Sequence, residues 1–102
     1  MNIKKINKNN FIIRIDKDEQ IVESIKKACQ IKKIKTGYIF GIGASSELTV
    51  GLFKTKEKEF LKKEFKGEYE ITSINGNITE MNNKIYLHLH VTFSDKEFNS
   101  YG

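Results

Sequence analysis

The stretch Lys84-Ile85-Tyr86-Leu87-His88-Leu89-His90-Val91-Thr92-Phe93 alternates without a break. Ile85, Leu87, Leu89, Val91 and Phe93 share one parity, and Tyr86, His88, His90 and Thr92 share the other. A strict period of two predicts a β-strand with one apolar and one polar face. The only two histidines of the chain therefore point the same way, about 6–7 Å apart at roughly 3.3 Å rise per residue. Two imidazoles so placed can converge on one ion, since Zn–N bonds are about 2.0–2.1 Å. A solvent-facing strand can equally carry His-x-His with no ion, and from the residues alone both readings stand.

The segments around this strand read as more sheet and one helix. Asn82-Asn83 predicts a hairpin turn, pairing the histidine strand with Ile78 to Met81. Before it, Glu68 to Ile74 reads as a strand, with Asn75-Gly76-Asn77 as a bend or bulge. Phe11, Ile13 and Ile15 alternate with Ile12 and Arg14, which predicts a first strand. Asp16 is placed to cap the next helix, with Glu19 as its capping-box partner. Ile21, Val22, Ile25, Ala28 and Cys29 recur at helical spacing, so one stripe faces a sheet. Gly37 is expected to end that helix. Lys32, Lys33 and Lys35 suit the negative pole of the helix end, a reading that competes with a DNA-binding patch.

Tyr38 to Ala44 reads as a buried strand running into a small-residue bend, and Glu47 to Phe53 as another strand. Gly41-Ile42-Gly43 does not complete a dinucleotide loop: Ser46 stands at the third glycine position and no helical pattern follows. These glycines are expected to allow a close backbone approach or a bulge. Lys54 to Lys58 is a charged turn. Glu59 to Phe65 fits a helix or a strand equally. Ser94-Asp95-Lys96-Glu97 is a further turn. One helix and about six strands without a linker predict a single α+β domain over residues 1–102, with a mostly antiparallel sheet.

Composition narrows the function classes. The 102 residues suit one modest core, which subunit contacts would reinforce. No stretch reaches the ~20 apolar residues of a membrane helix, and no apolar segment follows Met1-Asn2-Ile3-Lys4-Lys5. A lone Cys29 forms no internal disulfide and reads as a buried structural thiol. Together these predict a cytoplasmic protein without membrane contact. The net charge of +5 raises nucleic acid as a partner. Of the 18 basic residues only Arg14 is arginine. Lysine neutralises phosphate, whereas arginine is the bidentate reader of guanine. Any DNA binding is therefore expected to be weak and non-specific.

No serine–histidine–acid set is legible around Ser45, Ser46 or Ser73, and no cysteine pair suggests a zinc ribbon. The chemistry centres on His88 and His90, with Glu70 as the carboxylate placed to act beside them. Two histidines and a carboxylate around Zn²⁺ with an open water position would make a catalytic centre. Glu70 reads equally as an exposed strand carboxylate among lysines.

Three blocks carry a family resemblance. Gly37 to Ala44, Glu70 to Ile78, and His88-Leu89-His90 resemble, in order and spacing, the signature blocks of the PPC (plants and prokaryotes conserved) domain. The opening strand and helix match as well. The resemblance implies an α+β fold with a strongly bent, mostly antiparallel sheet and one main helix, similar to acetolactate decarboxylase, a zinc lyase. It also implies a homotrimer. In plants the domain is joined to AT-hook motifs, and stand-alone prokaryotic copies carry the label of candidate DNA-binding proteins. This chain has no Arg-Gly-Arg core and no proline, so no AT-hook. The family often shows a Gly-Gly-His-Leu block whose histidine is a candidate third metal ligand. The sequence ends at Tyr101-Gly102 where that block would begin, and the resemblance thus implies a C-terminally shortened copy without the third histidine.

The function expected from all this is a small homotrimeric domain for self-association and partner binding, with a metal or small-molecule site at His88, His90 and Glu70. The alternative is a zinc-dependent lyase or hydrolase on a small polar substrate, with Glu70 moving the proton.

Overall fold

A computed structural model describes residues 1–102. Its elements are β1 (Asn2–Asn7), β2 (Asn10–Arg14), α1 (Ile21–Lys32), β3 (Gly37–Lys54), β4 (Glu59–Met81), β5 (Lys84–Ser94) and β6 (Ser100–Tyr101). β1 and β2 form a two-stranded antiparallel sheet, and the others form a four-stranded sheet in the order β3-β4-β5-β6. The fold is thus α+β with one helix and mostly antiparallel strands, as the alternation predicts. The chain divides into two compact units, one of Met1–Tyr38 with Gly76–His88, the other of Ile39–Asn75 with Leu89–Gly102.

In the first unit the β1–β2 hairpin pairs Ile3 with Ile13 and Lys5 with Phe11, with a register shift between Lys5 and Asn7. The Asn7 side-chain oxygen accepts from the Asn9 N–H and the Asn10 amide, which locks the turn. Strand β1 is not legible from the sequence, because its apolar residues Ile3 and Ile6 lie three apart among lysines and asparagines. Helix α1 buries Ser24, Ile25, Ala28 and Cys29, and β4 contributes the buried Ile78 to the same unit. Val22, expected in the apolar stripe, is 45% exposed instead. Cys29 is buried as expected, and burial pushes its thiol pKa up.

Both helix ends differ from expectation. Asp16 does not cap α1. The N-cap is Gln20, which makes no side-chain cap. The Asp16–Glu19 pair closes a turn ahead of the helix, where the Glu19 carboxylate accepts from the Asp16 N–H at 2.8 Å. The reason is a third group: the Met1 ammonium lies 2.8 Å from Asp16 and 2.6 Å from Glu19 and engages both carboxylates. At the other end the helix stops at Lys32, well before Gly37. Lys33 takes the left-handed conformation at φ 56°, and the Ile34 N–H returns to the Cys29 carbonyl at 2.8 Å. That bond satisfies a carbonyl the last turn would leave open.

The long strands are also more continuous than their punctuation suggests. β3 runs straight through Gly41-Ile42-Gly43, and a side chain at either glycine would meet nothing within 4 Å. No close approach therefore explains these glycines. β4 takes in both the ambiguous Glu59–Phe65 segment, as strand, and Asn75-Gly76-Asn77. Asn82 and Asn83 do form the two-residue turn, at φ 54° and 62°. Positive φ at both central residues is the hairpin turn that matches strand twist.

The core of the second unit is aromatic. The Phe93 ring is fully buried and lies 5.0 Å from Phe65, 5.4 Å from Tyr69 and 5.6 Å from Tyr101, between ring centroids. The first two contacts are edge-to-face, the geometry the ring quadrupole favours. Phe93 closes the apolar parity of β5, so the alternation leads directly into this core. A polar clasp seals it. The Tyr101 hydroxyl donates to Asp95 at 2.8 Å, and Asp95 also accepts from the Glu97 and Asn99 N–H groups. Thr72 on β4 donates to the Thr92 carbonyl on β5 at 2.8 Å.

Candidate functional site

β5 presents its residues as its sequence dictates. Tyr86, His88, His90 and Thr92 are exposed, and Ile85, Leu87, Leu89, Val91 and Phe93 face inward. Glu70 lies on β4 and is exposed. The expected trio is not assembled into a metal cluster, since no group of three or more His, Cys, Asp or Glu side chains converges anywhere in the chain. Two imidazoles fall short of the three protein ligands of a catalytic zinc centre. The donor set of this chain thus fits part of a metal site and not a complete one.

A second feature lies wholly within the first unit. A groove of about 560 Å³ runs between the last turns of α1 and the β4–β5 turn, lined among others by Lys26, Lys33, Lys35 and Lys84. Glu80 is the only carboxylate in its lining, and Cys29, Ile34 and Ile85 supply apolar walls. Lys33 and Lys35 come from the cluster whose simplest reading is helix-end electrostatics. Lys26 and Lys84 extend that charge to one concave surface. Lys84 follows the turn directly, so chain order alone does not reveal its placement.

A third feature is apolar and open. On β3, Phe40 is 79% and Ile42 85% exposed, at alternate positions of one strand face. β3 ends the strand order of its sheet. A long edge strand with exposed apolar side chains is a template for association. Reading Tyr38 to Ala44 as a buried strand does not anticipate this face. The one available signal is the run of glycines between the large residues, which leaves the other parity almost without side chains to bury.

No helix is long and apolar enough to cross a membrane. The sequence matches the model of the Plants and Prokaryotes Conserved (PCC) domain over residues 4–102. No curated protein matches it. The crystal structure of a candidate DNA-binding protein from Bacteroides thetaiotaomicron is similar at a TM-score of 0.94 and 38% identity, covering 98% of this chain and 69% of that one. A plant- and prokaryote-conserved protein of Pyrococcus horikoshii is similar at 0.82 and 29% identity, over 87% of this chain and 62% of that one. A metal-containing protein of Archaeoglobus fulgidus is similar at 0.82 and 29%, over 87% and 63%. The chain thus spans roughly two thirds of the length of these proteins.

Proposed function

The chain belongs to the Plants and Prokaryotes Conserved domain family, and from that premise we propose that residues 1–102 act as one self-associating binding domain, assembling as a homotrimer in the cytoplasm. The observation that carries this reading is the exposed apolar face of edge strand β3 at Phe40 and Ile42. Apolar surface of this kind gains by being removed from water, at about 25 cal/mol per Å². A second copy of the chain is the occupant that the family resemblance favours. Sedimentation equilibrium at micromolar concentration tests it: three times the 11.8 kDa chain mass is expected, and a monomer refutes it.

Metal or small-molecule binding at His88 and His90 is the second part of the proposal. It is supported by their shared strand face and by the similar protein from Archaeoglobus fulgidus that is named for its metal. Zn²⁺ is the candidate, and any remaining ligands would have to come from outside this chain. When bound, the ion would polarise a carbonyl or activate water. A lyase or hydrolase role, with Glu70 exchanging the proton, rests on those further ligands. Plasma mass spectrometry after gel filtration without chelator decides: about one zinc per chain supports the site, provided that His88→Ala removes it. A full zinc content in that variant excludes it.

Weak, non-specific DNA binding is a separate reading favoured by the lysine-lined groove and by the naming of the Bacteroides protein. Lysines without arginine partners would hold phosphates and leave bases unread. Affinity for duplex DNA should fall steeply with salt. No binding at low salt ends this reading.

A further inference from the structure

The β3–β4 turn carries two strand ends whose four large apolar residues face opposite ways. Phe53 and Phe60 pair across the hairpin with ring centroids 5.9 Å apart, so they share a face. The Phe60 ring also covers Gly51, where a Cβ would collide with it. Strand alternation then puts Leu52 and Leu61 on the opposite face. All four are half or more exposed: Leu52 62%, Phe53 50%, Phe60 64% and Leu61 54%. A hairpin wet on one side would show apolar residues on one face only, and this one shows them on both.

We infer that this arm, residues 51–63, is an interaction surface whose two faces are covered by a second copy of the chain. The inference rests on the self-association reading and names a contact that the β3 face at Phe40 and Ile42 does not supply. Area supports that occupant. At roughly 200 Å² per large apolar side chain, the four expose on the order of 450 Å². One side of a standard interface buries about 800 Å², of which about 57% is non-polar. Each face of the arm therefore carries about half the apolar share of one such surface, and the two together match it. Its chemistry disfavours other partners. Lys54, Lys56 and Lys58 sit at the tip and oppose tip-first entry into a bilayer. A DNA groove would engage those lysines and leave both apolar faces wet.

The test uses the full chain and the double variant Leu52→Asp/Leu61→Asp. Sedimentation should show the assembly dissociating at a concentration raised roughly 100-fold or more, since hot-spot losses reach that scale. Circular dichroism checks that the variant is folded. An assembled wild type with an equally assembled folded variant overturns the arm contact and leaves self-association standing, whereas a monomeric wild type overturns both. Should the variant unfold, hydroxyl-radical footprinting of the wild type decides instead. Oxidation of Phe53 and Phe60 should drop several-fold between dissociated and assembled protein. Equal oxidation in the two states, or protection only on adding anionic vesicles or duplex DNA, overturns the inference.

Discussion

Two aromatic regions of the same unit meet water in opposite ways. Around Phe93, rings from β4, β5 and β6 close on one another and the central side chain is fully buried. Around Phe60, a ring pair at similar spacing stays largely exposed. The residue types are alike, and their surroundings differ. Phe93 lies at the inward end of a strict alternation with strands on either side. Phe60 lies beside a turn, on an arm with apolar residues on both faces. The first arrangement holds the chain together, and the second is suited to holding copies together.

The largest expected effect breaks the first region. Phe93→Ala should cost about 3–5 kcal/mol, the range for emptying a buried aromatic site, and denaturant melts would read it. Leu61→Lys in the arm should shift chain stability by only about 0.5 kcal/mol or less, as surface substitutions do, while weakening assembly. If both variants lost stability alike, the contrast between a closed core and an open arm would fail.

Acid should loosen the clasp beside Phe93. Burial raises the Asp95 pKa, but the hydrogen bonds from Tyr101, Asn99 and Glu97 outweigh it and leave a net lowering. A lowered carboxylate contributes stability above its ordinary value and loses it as pH falls through the folded value. Tyr101 is shifted up, chiefly by its bond to Asp95, so its contribution fades as pH rises through that raised value. Asp95→Asn should flatten the acid limb of a Tm–pH curve. An unchanged acid limb would remove Asp95 from the account.

The first unit offers a smaller, two-sided pH effect. The Met1 ammonium is raised above 8.0, chiefly by its bonds to Asp16 and Glu19. Those carboxylates are lowered, chiefly by the same bonds. The acidic partners contribute above the ordinary carboxylate range, and the amine contributes below 8.0. The benefit should form a plateau between those limits and decline on either side. Glu19→Gln should lower the plateau while leaving the extremes of the Tm–pH curve unchanged. The smallest effect concerns the groove: Lys33→Gln or Lys84→Gln should each reduce the salt slope of DNA binding by about one.

Much of this was legible where one rule governed the residues. The alternation from Ile85 to Phe93 gave β5, its faces and the shared exposure of His88 and His90. Asn82-Asn83 gave the turn, since both residues tolerate positive φ. Local rules give way where a distant group competes with a local one. Asp16 and Glu19 form a capping pattern, but the Met1 ammonium engages both. Gly41, Gly43 and Gly76 look like breaks, yet pairing carries the strands through them. Exposure was the least legible property. Strand assignment alone leaves the exposure of Leu52-Phe53 and Phe60-Leu61 open, and only their adjacency on both arms of a hairpin sends them to both faces. The His-x-His spacing marks His88 and His90 in the sequence, and no metal-holding group of three or more His, Cys, Asp or Glu side chains forms in the chain.

On the proposed reading, exposed apolar strand surface in this chain is covered by further copies of it. The most direct measurement is the mass of the untagged protein by sedimentation equilibrium across a concentration series. A species of three chains that dissociates on dilution and is weakened by Phe40→Asp is expected. A single-chain mass throughout the micromolar range would contradict that reading.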